Sequence, residues 1–271
     1  MLQLNSETVP ADIKDVVFNT AIRTGDAKQW NFLLEKFKTT IVDSDRQKYM
    51  TALAATVDQD ILLKYLNMTI YPEDYGIRVA DISFIYESVT RTKNGGDLAM
   101  KWLRDNYEEI LNSLILPSVD YLMGKMFPSG NVPSSMNSDT DKLIHWCHGA
   151  PGSIHLFLLA YAKTQNLKYF EAAEKNAQVI WSRGLLKKGN GLCHGIAGNA
   201  YAFLAMYQAT QNPDWLAKAH CFCRFILDQK HPKMADRPFS LFEGISGTIW
   251  FLQDILEDPM NAKFPAYYAL H

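Results

Sequence analysis

Apolar residues recur three and four positions apart in one short block after another, the stripe of an amphipathic helix, from the first twenty residues almost to the end of the chain. Val16, Val17, Ala21 and Ile22 mark a first helix, and Thr24-Gly25-Asp26 ends it and starts a second that buries Trp30, Leu33, Leu34 and Phe37. Asp43 or Ser44 caps a third carrying Tyr49, Met50, Leu53 and Ala54, and Asp58 opens a fourth with Ile61, Leu62, Tyr65 and Leu66. Pro72, Gly76 and the pair Gly95-Gly96 punctuate the next stretch, and Leu98, Trp102, Leu103 and Ile110 line one further helix. Residues 11–110 therefore predict an α-solenoid of paired helices with short connections.

The pattern then changes. Phe127 to Ser135 is rich in turn formers and predicts a long surface loop, with a domain boundary near Leu114 that divides the chain into 1–113 and 114–271. Beyond it the helices alternate in character. Ile154 to Ala162 and Ala197 to Tyr207 are largely apolar, as inner helices are, whereas Lys168 to Trp181 and Pro213 to Asp228 are amphipathic outer ones. The expected fold class is all-α, with almost no sheet.

A short motif punctuates this second half. Cys147-His148-Gly149-Ala150-Pro151-Gly152, Cys193-His194-Gly195-Ile196-Ala197-Gly198 and Glu243-Gly244-Ile245-Ser246-Gly247 share a Gly-x-x-Gly step, each opening a helix, and recur every 46 to 49 residues. Stacked repeats of that length place Cys147, the Cys193/His194 pair and Glu243 around one rim. Thiolates and imidazoles are borderline to soft ligands, so the first two copies predict a zinc site. Glu243 is expected either to hold backbone amides of its turn or to orient substrate or metal-bound solvent. Trp146 and Trp250 are expected in the core, His155 in the core or lining an interior, and Cys221 and Cys223 as packing residues.

Composition narrows the partners. A net charge of -2 and a pI near 6.4 give no basic footprint for nucleic acid. Met1 to Asp12 lack the blocks of a signal peptide, and no apolar run reaches the ~20 residues that span a bilayer, which points to a cytoplasmic protein with reduced thiols.

Asp15 to Gly25, Ala52 to Thr56, Leu62 to Leu66 and Gly96 to Tyr107 resemble the C-terminal helical domain of aminopeptidase N-type zinc aminopeptidases. That family's peptidase chemistry lies in an HExxH domain, a motif that does not occur here, so the resemblance implies a helical scaffold and no peptidase activity. From Pro117 onward, the runs Lys125 to Asn131, His145 to Gly152, Gly184 to Gly195, Pro238 to Gly244 and Ala262 to Ala266 resemble the eukaryotic LanC-like proteins, relatives of lanthionine cyclases. The resemblance implies the C-terminal part of an (α/α) toroid holding Zn2+ through Cys147, Cys193 and His194. It further implies glutathione contacts at Lys188, Lys233, Met234, Ala235 and Asp236, with Lys233 standing where the family has an arginine. The implied activity is addition of glutathione to dehydroalanine or dehydrobutyrine residues of peptides and proteins. The family takes its acid/base histidine from an earlier repeat, and no histidine precedes His145 here, so His148 and His145 are the candidates for that role. The other expected reading is a non-enzymatic helical scaffold, a chimeric fusion with zinc kept for structure. The helices of residues 11–110 or a second copy of the chain are expected to cover the open edge of the toroid.

Overall fold

A computed structural model describes residues 9–10, 12–93, 95–135 and 137–267. The reading of residues 1–8 as free of a leader therefore lies outside the described residues. Helices connected by turns and loops make up the fold, with no strand among the described residues, and the chain divides into two compact units, Met1–Pro117 and Ser118–His271.

The first unit opens with the helices Lys14–Thr24 (α1), Ala27–Thr39 (α2), Asp43–Leu53 (α3) and Gln59–Asn67 (α4). Asp26 caps α2 by accepting from the Lys28 amide at 2.7 Å, and Asp58 caps α4 by accepting from the Asp60 and Ile61 amides at 2.9 and 3.2 Å. Asp43 and Ser44 do not cap α3. They lie inside its first turn, and Val42 precedes the helix without a side-chain cap. Val16 is exposed, and the buried stripe of α1 runs through Phe18 and Ile22. The chain continues through Val79–Thr90 (α5), Gly95–Asp105 (α6) and Tyr107–Ile110 (α7), so Gly95 and Gly96 begin a helix where punctuation was expected. Trp30 anchors the core, its ring edge-on to Tyr65 at 5.9 Å and its Nε1 donating to the Leu53 carbonyl at 3.0 Å. Buried Arg46 donates to Asp81 at 2.9 Å and to the Gly76 carbonyl at 2.7 Å, while its guanidinium lies 4.2 Å from the centre of the Phe37 ring.

The remaining α-helices are Leu116–Gly124 (α8), Ala150–Thr164 (α9), Leu167–Arg183 (α10), Ile196–Thr210 (α11), Pro213–Asp228 (α12) and Ile245–Glu257 (α13). α11 is buried nearly all round, and α10 and α12 bury one face each, which is the inner and outer layering of an α/α fold. The repeat is visible in detail. α9 and α11 both end on a left-handed glutamine, Gln165 at φ 54° and Gln211 at φ 56°. Each is followed by an asparagine that caps the next helix, Asn166 accepting from the Lys168 amide and Asn212 from the Asp214 amide.

Candidate metal centre

The second glycine of each motif explains why the three turns are alike. A Cβ on Gly152 would stand 2.2 Å from the Trp146 carbonyl oxygen, on Gly198 1.8 Å from that of Leu192, and on Gly247 2.0 Å from that of Leu241. In all three, the first turn of the helix is pressed onto the backbone six residues upstream, an approach that only glycine permits. Gly149, at φ 132°, adds a left-handed turn in front of α9.

These turns bring the ligand candidates together. The Cys147 Sγ, the Cys193 Sγ and a ring nitrogen of His194 lie within 4.8 Å of one another, Cys147 exposed and the other two half-buried. The backbone stitches the loops in series: the Cys147 amide donates to the Cys193 carbonyl at 3.3 Å, and the Cys193 amide to the Phe242 carbonyl at 2.7 Å. Burial, then the adjacent Cys147 sulfur and the Glu243 carboxylate, raise the Cys193 thiol above its ordinary pKa. A thiol held protonated by a neighbouring thiol is what a bound cation reverses, since metal ligation needs both sulfurs as thiolates. Two sulfurs and one imidazole at this separation fit a tetrahedral ion with one position left for solvent or substrate. Glu243 stands outside the ligand set.

His145 is buried, its ring centre 5.9 Å from that of His194, and burial together with the charge of Lys188 lowers it to about 4. His148 is exposed, and its Nδ1 meets the Ser134 carbonyl oxygen at 2.9 Å. Lys233, Met234 and Ala235 line a cleft of about 220 Å³ together with Glu243, Asn190 and Thr248. Lys188 and Asp236 are exposed and lie outside the residues lining that cleft.

The loop expected at the surface exposes Pro128, Ser129 and Ser135 but tucks its middle, Gly130 to Val132, inward. Asn131 is 1% exposed, donates to Asp141 and the Leu143 carbonyl, and accepts from the Ala150 amide at 2.8 Å, so it holds the start of α9 in place. Asn199, buried in α11, donates to the carbonyls of Ile144 and Gly184, which precede the first two motifs. Its signal in the sequence is a lone amide within an apolar inner helix. Trp146 stacks on Phe264 at 4.8 Å and donates to Tyr267 Oη at 3.0 Å, tying the residue before Cys147 to the C-terminal segment. Trp250 is 40% exposed and Cys221 is exposed, so neither is a core residue, whereas Cys223 is buried. His155 packs against Tyr267 at 5.1 Å and lines a cavity of about 610 Å³.

Two known families match the chain, and their matches overlap over residues 98–142, which contain the boundary between the two units. Residues 98–268, well over half of the chain, match the model of the lanthionine synthetase C-like proteins. The chain belongs to the lanthionine synthetase C-like protein family. Residues 2–142 of this LanC-like chain match the ERAP1-like C-terminal domain, the helical domain that its first solenoid resembles. The LanC-like part is 48% identical over 157 residues to a protein named Glutathione S-transferase LANCL1 from Danio rerio, an alignment covering 57% of the chain and 38% of that relative. The chain thus spans about two fifths of the length of the curated relative it matches.

Proposed function

We propose that this LanC-like chain binds zinc through Cys147, Cys193 and His194 and adds glutathione to dehydroalanine and dehydrobutyrine side chains of proteins. The observation that carries the reading is the trio of soft and borderline ligands within 4.8 Å, drawn from two repeats, with Glu243, whose carboxylate acts on Cys193, lining the cleft next to it. The name of the zebrafish relative, a glutathione S-transferase, supports the choice of thiol. Bound there, zinc supplies a lowered pKa to a thiol that joins it in the fourth position.

The chain's own residues supply the rest. Lys188 and Lys233 neutralise the two carboxylates of glutathione, Lys233 as a point charge without the fork of an arginine. Met234 and Ala235 keep water from one wall of the cleft, and Asp236 follows them in the same loop. In the reaction the sulfur bonds to the β-carbon of the dehydroamino acid, the alkene π pair moves to the α-carbon, and that carbon takes a proton. His148 and His145 are assigned to move this proton. The Ser134 carbonyl fixes the proton of neutral His148 on Nδ1 and leaves Nε2 to accept. The reading includes a second copy of the chain over the open edge of the toroid, which light scattering tests by showing a dimer.

The test is metal analysis of the purified chain together with mass spectrometry of a dehydroalanine peptide incubated with glutathione. Zinc and a one-glutathione mass increment are expected from the wild type, and neither from Cys193→Ala. Zinc without the increment removes the transferase reading and leaves a scaffold with a structural ion.

A further inference from the structure

Two loops border the cleft, and both are rich in cations. Residues 184–190 carry Lys187 and Lys188, and residues 229–237 carry Lys230, Lys233 and Arg237 with His231, against one carboxylate, Asp236. The loops are pinned to each other. Asn190 Nδ2 donates to Gln229 Oε1 at 2.9 Å, and the backbone of Gly189 runs so close to the Lys233 carbonyl that a Cβ on Gly189 would stand 3.1 Å from its oxygen. All five cations are exposed, and none has an ion-pair or side-chain hydrogen-bond partner among the described residues. Exposed Arg78, Arg91 and Arg224 have acidic partners, and what distinguishes the five is their gathering on two loops that are joined to each other.

A chain with a net charge of -2 that gathers five unpaired cations on one rim keeps self-repulsion there unless an anion meets it. Glutathione does not use them all. On the glutathione reading Lys188 and Lys233 take its two carboxylates, which leaves Lys187, Lys230 and Arg237, on the same two loops, without a counter-ion.

We propose that this rim docks the polypeptide substrate by its acidic or phosphorylated residues flanking the reacting side chain. The inference rests on the glutathione-transfer reading for the direction in which the polypeptide enters. Phosphate on serine offers close to two negative charges and three acceptor oxygens to such cations. A peptide fits better than a nucleic acid because the basic surface is one rim of two short loops around a cleft, not a stripe that follows a backbone.

The test is fluorescence anisotropy with the full chain and a fluorescein-labelled diphosphoserine peptide that contains no dehydroamino acid, in the absence of glutathione. The expected result is binding roughly tenfold tighter than that of the unphosphorylated peptide. The glutamate-substituted peptide falls between them, and the difference shrinks as salt is raised. Replacing Lys187, Lys230 and Arg237 together by Gln removes the difference, with the helical circular dichroism unchanged and Lys188 and Lys233 intact. Equal binding of the phosphorylated and unphosphorylated peptides overturns the proposal. So does undiminished binding by the triple variant, or binding of an RNA oligonucleotide of equal charge as tightly as the phosphopeptide. Phosphopeptide binding without any glutathione addition keeps the docking rim and removes only the transferase reading.

Discussion

At the scale of single residues, the centre depends on groups that are not ligands. Gly198 is the sharpest case, because any side chain there meets the Leu192 carbonyl at 1.8 Å, one residue before Cys193. Gly198→Ala is expected to cost about 1–3 kcal/mol in urea unfolding, and to weaken cobalt binding, read from the thiolate-to-metal absorption band. Asn131→Ala leaves the buried Ala150 amide without its acceptor, and a loss of ~1–3 kcal/mol is expected in the same experiment. The ligand types and the recurring Gly-x-x-Gly step are legible in the sequence because both are written into neighbouring residues. Asn131 is not, since its partners Asp141, Leu143 and Ala150 are joined to it only by the path of the folded loop. Glu243 stands out by its place in the third repeat, but its electrostatic action on Cys193 needs the fold.

At the scale of elements, the helical periods carry most of the fold. α2 and α4 follow from their stripes and their aspartate caps, and α9 to α12 from the alternation of apolar and amphipathic segments. α5 is not legible in that way. Pro72 and Gly76 precede it with breaker signals, and only Ile85 and Val89 among its large apolar side chains are buried, too few to draw a clear face. The start of α6 reads as a turn because glycine pairs favour turns, yet Gly95 packs so closely on the Val89 carbonyl that a Cβ there would stand 2.0 Å away. The two α/α turns make a testable pair, since a glutamine at positive φ is strained by roughly 1 kcal/mol. Gln211→Gly is expected to stabilise the chain by about that amount in denaturant unfolding, whereas Asn212→Ala costs ~1 kcal/mol through the lost cap.

At the scale of the whole molecule, the two units answer acid in different windows. Burial lowers His155 to about 4 from its ordinary 6.5, so the unfolded chain takes up a proton at this site that the fold refuses between those values. Stability of the second unit therefore falls as pH drops from about 6.5 towards 4. Asp254 in the same unit acts in the opposite sense, since burial raises its carboxyl, so His155→Phe against wild type isolates the histidine effect as a shallower loss in urea midpoint. In the first unit, burial would raise Asp81, but its hydrogen bonds from Arg78 and Arg46 outweigh that and hold it below its ordinary 3.8. Its contribution is complete above the carboxylate range and disappears only as pH falls through the depressed value. Acid titration followed by near-ultraviolet circular dichroism should show the second unit loosening first. Asp81→Asn leaves Arg46 buried without its counter-charge, and a loss of ~3–5 kcal/mol from the first unit is expected at neutral pH.

The amide of Cys193 hangs from the carbonyl of Phe242, and the amide of Cys147 from that of Cys193. The repeat that contributes no sulfur or imidazole is thus the peg from which both donor loops are suspended. A minimal peptide cut to include only the two Cys-His-Gly segments would keep every donor atom and lose the template that spaces them, so any transplant of this centre into another scaffold has to bring the Phe242 turn along.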